Sequence, residues 1–266
     1  YTKNGRYLLI GGQRGHLASF DWKSGKLGCE FNVNETVRDV KWLHNETFFA
    51  AAQKQYTYIY DNTGMEIHCL RNHSDVNKLE FLPYHFLLAT VGNAGFLKYQ
   101  DTSTGSIVSE IRTKLGSCRT MTQNPRNAII HLGHNNGTVT LWSPTTSEPL
   151  VKMFCHKGGV SGMAVDKTGN YMVTTGLDNQ MKVWDVRSYK QLNQYFTPKP
   201  VSNVSISQMG LLGISFGGNV HIWKDAFIEK QKEPYMTHLQ AGTNIHQFQF
   251  CPYEDMVQNN KTTNTI

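Results

Sequence analysis

The side chains of this sequence able to do chemistry are eleven histidines, five cysteines and the carboxylates near them. His156 with Asp178 has the residue types of a catalytic dyad, but the same pair also suits a buried polar network, because a buried carboxylate needs donors and an imidazole supplies one. The structural reading is taken here. His131 and His134 suggest a metal pair, yet residues three apart on a strand point to opposite faces, and no third ligand lies near. Cys29, Cys69, Cys118, Cys155 and Cys251 form no CxxC pair and share no zinc spacing with the histidines. An odd number of cysteines spread along the chain makes a poor disulfide framework, which points to a reducing compartment. There is no GxxxxGK[ST] loop to cradle a phosphate and no Gly-x-Ser-x-Gly elbow to present a nucleophile. The expectation is a non-enzyme with no cofactor, no metal and no small-molecule substrate.

The elements that would carry these residues repeat. Short apolar strands ending in an aromatic and a polar residue occur at Phe20-Asp21, Tyr60-Asp61, Tyr99-Gln100, Trp142-Ser143, Trp184-Asp185 and Trp223-Lys224, so the aromatic returns every 39 to 43 residues. A second register, apolar-x-x-apolar-x-apolar, starts at Val37, Val76, Cys118, Val160, Val201 and Ile245, with spacings of 39 to 44. Glycine-bearing turns such as Gly11-Gly12 and Gly133-His134 precede the aromatic strands in the same phase. Each unit holds four β-rich runs, for example 160–166, 171–175, 181–186 and 191–196, separated by Gly, Asn, Asp, Ser or Pro. Helical repeats are excluded because the apolar residues alternate with period two. A four-stranded sheet of this size cannot bury both faces alone, so a period of about 40 with four strands reads as a β-propeller blade. Cys29 and Cys69, one repeat apart, are expected to be equivalent small buried hydrophobes.

Composition agrees with one globular unit: 266 residues, 39% hydrophobic and 17% charged. No window approaches the roughly 18 apolar residues a spanning helix needs, and residues 1–5 resemble no targeting peptide, so no membrane is expected. The excess of 26 Lys plus Arg over 20 Asp plus Glu, a net +6, tilts the chain toward polyanionic partners.

The run Gly176-Leu177-Asp178-Asn179-Gln180-Met181-Lys182-Val183-Trp184-Asp185, preceded by His156, resembles the WD-repeat family. The resemblance implies that His156, Asp178 and Trp184 form a buried hydrogen-bonded network. His73 with Asp75 echoes the signature, while Gln100, Ser143 and Lys224 depart from it. The fold expected is an all-β, seven-bladed WD-repeat propeller over residues 1–257, its final blade incomplete, followed by a short polar tail at 258–266. The seventh blade is inferred from the additional inner-strand register at Ile245 and from a start at Tyr1 without an inner strand, the ring being closed by strands from both ends.

More specific are Trp223-Lys224-Asp225, Pro234-Tyr235-Met236-Thr237-His238-Leu239 and Phe250-Cys251-Pro252-Tyr253-Glu254-Asp255. These closely resemble the nucleolar WD-repeat family of the U-three small nucleolar ribonucleoprotein and the small-subunit processome. The resemblance implies a non-enzymatic scaffold for pre-rRNA processing and small ribosomal subunit biogenesis. It also implies a nuclear, nucleolar location in a large hetero-assembly, with processome proteins, U-three snoRNA and pre-rRNA as partners, met directly or through neighbours. The alternative is a generic WD-repeat adaptor, such as a ubiquitin-ligase substrate receptor or a chromatin reader.

In a propeller with this strand order, the loops between units and the turns before the aromatic strands share one face. That face gathers Arg14, Lys54, Arg71, Lys114, Lys157 and Lys199, together with His73, His134 and His156, against Glu35, Asp75 and Asp178, and is expected to be the more basic side. Between the first two apolar marks of each inner strand stand Arg38, Asn77, Arg119, Ser161, Ser202 and His246, expected to ring the channel mouth without a carboxylate. Arg38, Arg119 and His246 join the candidates for contact with a partner or an RNA backbone. The charged insertion 229–233 and the following outer strand supply a family-specific contact loop at Lys230, Lys232, Tyr235 and His238.

Overall fold

The computed structural model describes residues 1–239, 244–245 and 247–252. Twenty-three strands form six antiparallel sheets, each a meander in chain order. The first sheet is β1 (Tyr7–Gly11), β2 (His16–Asp21) and β3 (Lys26–Asn32). The second is β4 (Val37–Trp42), β5 (Phe48–Gln53), β6 (Tyr56–Asp61) and β7 (Glu66–Ser74). The third is β8 (Val76–Leu82), β9 (Leu87–Gly92), β10 (Phe96–Asp101) and β11 (Ile107–Arg112). The fourth is β12 (Cys118–Gln123), β13 (Ile130–His134), β14 (Thr138–Trp142) and β15 (Val151–Phe154). The fifth is β16 (Val160–Val165), β17 (Tyr171–Gly176), β18 (Gln180–Asp185) and β19 (Lys190–Phe196), and the sixth is β20 (Asn203–Ile206), β21 (Leu212–Phe216), β22 (Asn219–Trp223) and β23 (Met236–Leu239).

The expectation of seven blades is therefore corrected: the propeller has six. The last sheet has its full four strands, and the first is the three-stranded one. The inner-strand register at Ile245 misled because it builds no sheet of its own. Instead the segment lies along β20: Ser202 Oγ donates to Ile245 O at 3.0 Å, Asn203 Nδ2 to Phe248 O at 2.8 Å, and Phe250 N to Ser205 Oγ at 3.2 Å. Its end reaches the first sheet, where Cys251 Sγ lies 3.7 Å from Gly5 O. A methyl group on Gly213 of β21 would meet the Phe248 ring at 2.7 Å, so glycine is what admits that ring. The domain end expected at 257, and the tail beyond it, lie outside the described residues.

Why the strands read as they do follows from packing. Middle strands such as β9, β13 and β14 are buried along their whole length because neighbouring blades cover both faces, whereas the outer β11 and β15 alternate. Five apolar clusters fill the five successive blade junctions. The repeat aromatics Tyr60, Tyr99, Trp142, Trp184 and Trp223 all lie in them. All five cysteines are free; Cys29 is buried and Cys69 half-buried. Among the described residues no helix is long and apolar enough to cross a membrane.

Candidate functional site

In the fifth blade the expected network is present, and it has a member that sequence reasoning missed. Asp178 Oδ1 lies 3.0 Å from His156 Nδ1, and since the carboxylate only accepts, Nδ1 donates. Nε2 is then the acceptor for the Thr174 hydroxyl at 2.9 Å, and the same hydroxyl oxygen accepts Trp184 Nε1–H at 2.9 Å. The second Asp178 oxygen accepts the Lys157 amide at 3.1 Å, so the carboxylate also ties down the loop before β16. Burial lowers the His156 pKa, against an opposite pull from Asp178. Thr174 and Thr175 are adjacent identical residues, and only the register of β17 tells which one faces the imidazole.

Two further blades build the same kind of network from other residues. His73 donates from Nε2 to Gln100 Oε1 at 2.6 Å and takes the Thr90 hydroxyl at Nδ1, at 2.7 Å; its sequence neighbour Asp75 turns away to Arg38. His134 Nε2 meets the Thr140 hydroxyl at 2.7 Å, and Trp142 Nε1 donates to that oxygen at 2.8 Å. His73, His134 and His156 are all fully buried, and burial lowers the first two to a pKa of about 4. They are therefore neutral frame members and add no charge to the loop face.

The lysines and arginines are placed differently. Arg14 lies in the β1–β2 turn, Lys54 in the β5–β6 turn, and Lys114, Lys157 and Lys199 in the loops entering β12, β16 and β20; all are exposed. They share the face formed by inter-blade loops and turns, whereas Arg71 is exposed on the outer strand β7.

At the channel mouth, Arg38, Asn77, Arg119 and Ser161 each occupy a β-bulge at the start of an inner strand. Arg38 and Asn77 reach across to the next blade, and Ser202 to the segment laid along β20. Arg38 Nη1 donates to Val76 O at 3.3 Å, Asn77 Nδ2 to Cys118 O at 3.1 Å, and Ser202 Oγ to Ile245 O. Arg38 also pairs with Asp75, which leaves Arg119 as the exposed charged member of the described rim. Further along the inner strands stand two carboxylates, Asp39 and Glu80, paired with Lys78 at 3.3 Å and Lys41 at 2.7 Å. His246 lies outside the described residues.

The insertion before β23 is anchored at its root. Tyr195 OH lies 3.4 Å from both Ala226 O and Glu229 O, accepts the Gln231 amide at 3.3 Å, and Phe227 stacks on Tyr171 at 5.5 Å. Beyond that anchor Lys230, Lys232, Tyr235 and His238 are exposed, Tyr235 at 68%.

Blades of four antiparallel strands, knit by a buried His–Thr–Trp network, define a WD-repeat β-propeller. Residues 147–185 match the WD domain, G-beta repeat model. The crystal structure of a mitotic checkpoint complex contains a similar chain, with a TM-score of 0.81 at 17% identity, over 94% of this chain and 79% of that one; this likeness concerns the fold alone. Over 97% of its length the chain is 49% identical to U3 small nucleolar RNA-associated protein 7 of Saccharomyces cerevisiae, covering 49% of that protein. It is 49% identical to human WD repeat-containing protein 46 and 50% identical to its Caenorhabditis elegans counterpart, covering 43% and 44% of them. The chain belongs to this family of WD-repeat proteins. It spans about half the length of the relatives it matches.

Proposed function

We propose that this propeller is the non-enzymatic scaffold core of a U3 small nucleolar ribonucleoprotein subunit. On this reading it acts in the nucleolus, in the small-subunit processome, and supports the pre-rRNA processing that leads to the small ribosomal subunit. One observation carries the reading: 49% identity, sustained over 97% of the chain, to a protein named for its association with U3 small nucleolar RNA. The exposed cations Arg14, Lys54, Lys114, Arg119, Lys157 and Lys199 support it, because phosphate and acidic neighbours are what such side chains bind. The anchored insertion with Lys230, Lys232, Tyr235 and His238 offers a second contact to another subunit.

The test is affinity purification of the tagged full-length protein across a salt series, with identification of the RNA and proteins retained. Recovery of U3 RNA with processome proteins through moderate salt is the expected result. Recovery of a ubiquitin-ligase or chromatin complex without that RNA would refute the proposal.

A further inference from the structure

Because each sheet is a meander, the connections that follow the inner strands β4, β8, β12 and β16 lie at the blade ends away from the inter-blade loops. One of them carries three consecutive rings into solvent. Between β8 and β9, Tyr84, His85 and Phe86 are all exposed, Tyr84 at 84% and Phe86 at 43%. His44, exposed in the β4–β5 connection, has its ring centroid 5.4 Å from that of Phe86, and Lys3 Nζ stands 5.0 Å from the Tyr84 centroid. Rings from two blades thus form one patch.

Folding of the blade does not call for a phenylalanine at this place. The φ of Phe86 is 52°, a left-handed conformation that a bulky side chain rarely takes. In the comparable connections the left-handed residue is Gly169 in the fifth sheet, Gly210 in the sixth and Ala128 in the fourth. Phe86 is held in that shape through its carbonyl, which accepts Thr102 N at 2.9 Å and Thr102 Oγ1 at 3.0 Å. Strain that the surroundings maintain gathers at places that serve a ligand. Here the strained residue presents a ring beside an imidazole.

The side chains that meet in the patch are rings and an ammonium. None is aliphatic, as an apolar anchor for a protein segment would be. On the same face Arg126 and Lys167 are exposed in the next two connections. The neighbouring acids are engaged locally: Asp101 accepts the Ser103 amide at 2.7 Å, Asp166 those of Thr168 at 3.2 Å and Tyr171 at 2.8 Å, and Glu46 bonds to Asn4. Exposed rings flanked by cations suit a single strand of nucleic acid, with bases on the rings and phosphates on the cations.

We propose that Tyr84, Phe86 and His44 stack unpaired bases of an RNA strand whose phosphates are met by Lys3, Arg126 and Lys167. The assignment deepens the ribosome-assembly reading and rests on it in naming RNA rather than DNA as the strand.

The test uses the full-length protein and a fluorescein-labelled RNA dodecamer of mixed sequence, single-stranded or annealed to its complement, followed by fluorescence anisotropy. The single strand is expected to bind about ten-fold tighter than the duplex. Tyr84→Ala and Phe86→Ala should each weaken the single-strand complex about ten-fold, and together more, with the fold intact by thermal melt and the salt dependence unchanged. Tyr84→Trp should keep the affinity, and Arg126→Ala with Lys167→Ala should flatten the salt dependence instead. The proposal is overturned if the Tyr84→Ala, Phe86→Ala double variant binds the single strand as the unsubstituted protein does, or if the duplex binds equally well. It is also overturned if that variant keeps its RNA affinity but loses a protein subunit from the particle purified from cells, which would put a protein on the rings. Recovery of U3 RNA with the tagged protein tests the ribosome-assembly reading separately, and it can succeed while stacking fails or fail while stacking holds.

Discussion

A threonine hydroxyl that accepts one hydrogen bond and donates another fixes two large side chains at once. Thr174 does this for Trp184 and His156. Thr174→Val keeps the volume but leaves an indole N–H and an imidazole nitrogen buried without partners, so a loss of about 3 kcal/mol is expected. Thr174→Ser should retain most of the stability. Denaturant midpoints of the two variants check this, and equal midpoints would show that the hydroxyl is dispensable. Protonation probes the same kind of site in other blades. His73, His131 and His134 are held at a pKa of about 4 by burial, below the roughly 6.5 of an unfolded histidine. Between those values the unfolded chain binds more protons than the folded one. Stability is therefore complete above about pH 6.5 and falls as the pH drops toward 4, by about 1.4 kcal/mol per pH unit for each histidine. Urea midpoints at pH 7.5, 6 and 5 should decrease in that order, and a flat series would contradict the burial. The sequence made His156, Asp178 and Trp184 legible because their spacing matches a repeat signature. Thr174, Thr90 and Thr140 were not legible, since a threonine in a β-strand looks the same whether its hydroxyl meets a ring or a neighbouring backbone.

Single elements carry the contacts that join blades. The bulge at the head of β4, β8, β12 and β16 turns one side chain out of the alternation, which is how Asn77 reaches Cys118 O on the next inner strand. The positions of these residues could be read from the apolar spacing. Their partners could not, because a bulge changes the side-chain direction without changing the pattern of residue types. The insertion before β23 poses the same question at larger size. Its charged run reads as a loop in the sequence, but its root is held by Tyr195, whose phenol contacts Ala226, Glu229 and Gln231, by Asn193 Nδ2, which donates to Ala226 O at 3.0 Å, and by Phe227 stacked on Tyr171. Tyr195→Phe removes the phenol's bonds and keeps the ring in its place against Trp223, 4.7 Å away between centroids. Proteolytic cutting at residues 229–233 is expected to accelerate several-fold, while the global unfolding free energy changes by only about 1 kcal/mol. Unchanged cutting would mean that the Phe227 stacking and the Asn193 hydrogen bond to Ala226 O hold the segment without the phenol.

At the scale of the whole ring, the count of blades was the least legible feature, and the reason is geometric. Six aromatic strands correspond to six sheets, but the inner-strand register has a copy, at Ile245, that begins no further sheet. Apolar spacing cannot distinguish a strand that opens a new blade from a segment laid along an existing one. That segment is nonetheless what links the sixth sheet to the first: Ile245 N donates to Gly217 O at 2.7 Å, Phe248 and Phe250 sit over Gly213, and Cys251 lies beside Gly5. A propeller is stable because every blade has neighbours on both faces, so this seam should govern the two blades beside it more than those opposite. Phe248→Ala with Phe250→Ala removes two half-buried rings, for which a loss of about 2–3 kcal/mol is expected from the apolar area involved. The distribution of that loss is more informative than its size. Hydrogen exchange should accelerate in β1 and in β20–β22, and stay near its original rate in β9 and β13, which are covered by intact neighbours. Uniform acceleration across all six sheets would instead make the ring a single cooperative unit with no weak seam, and would remove the special role assigned to residues 245–251.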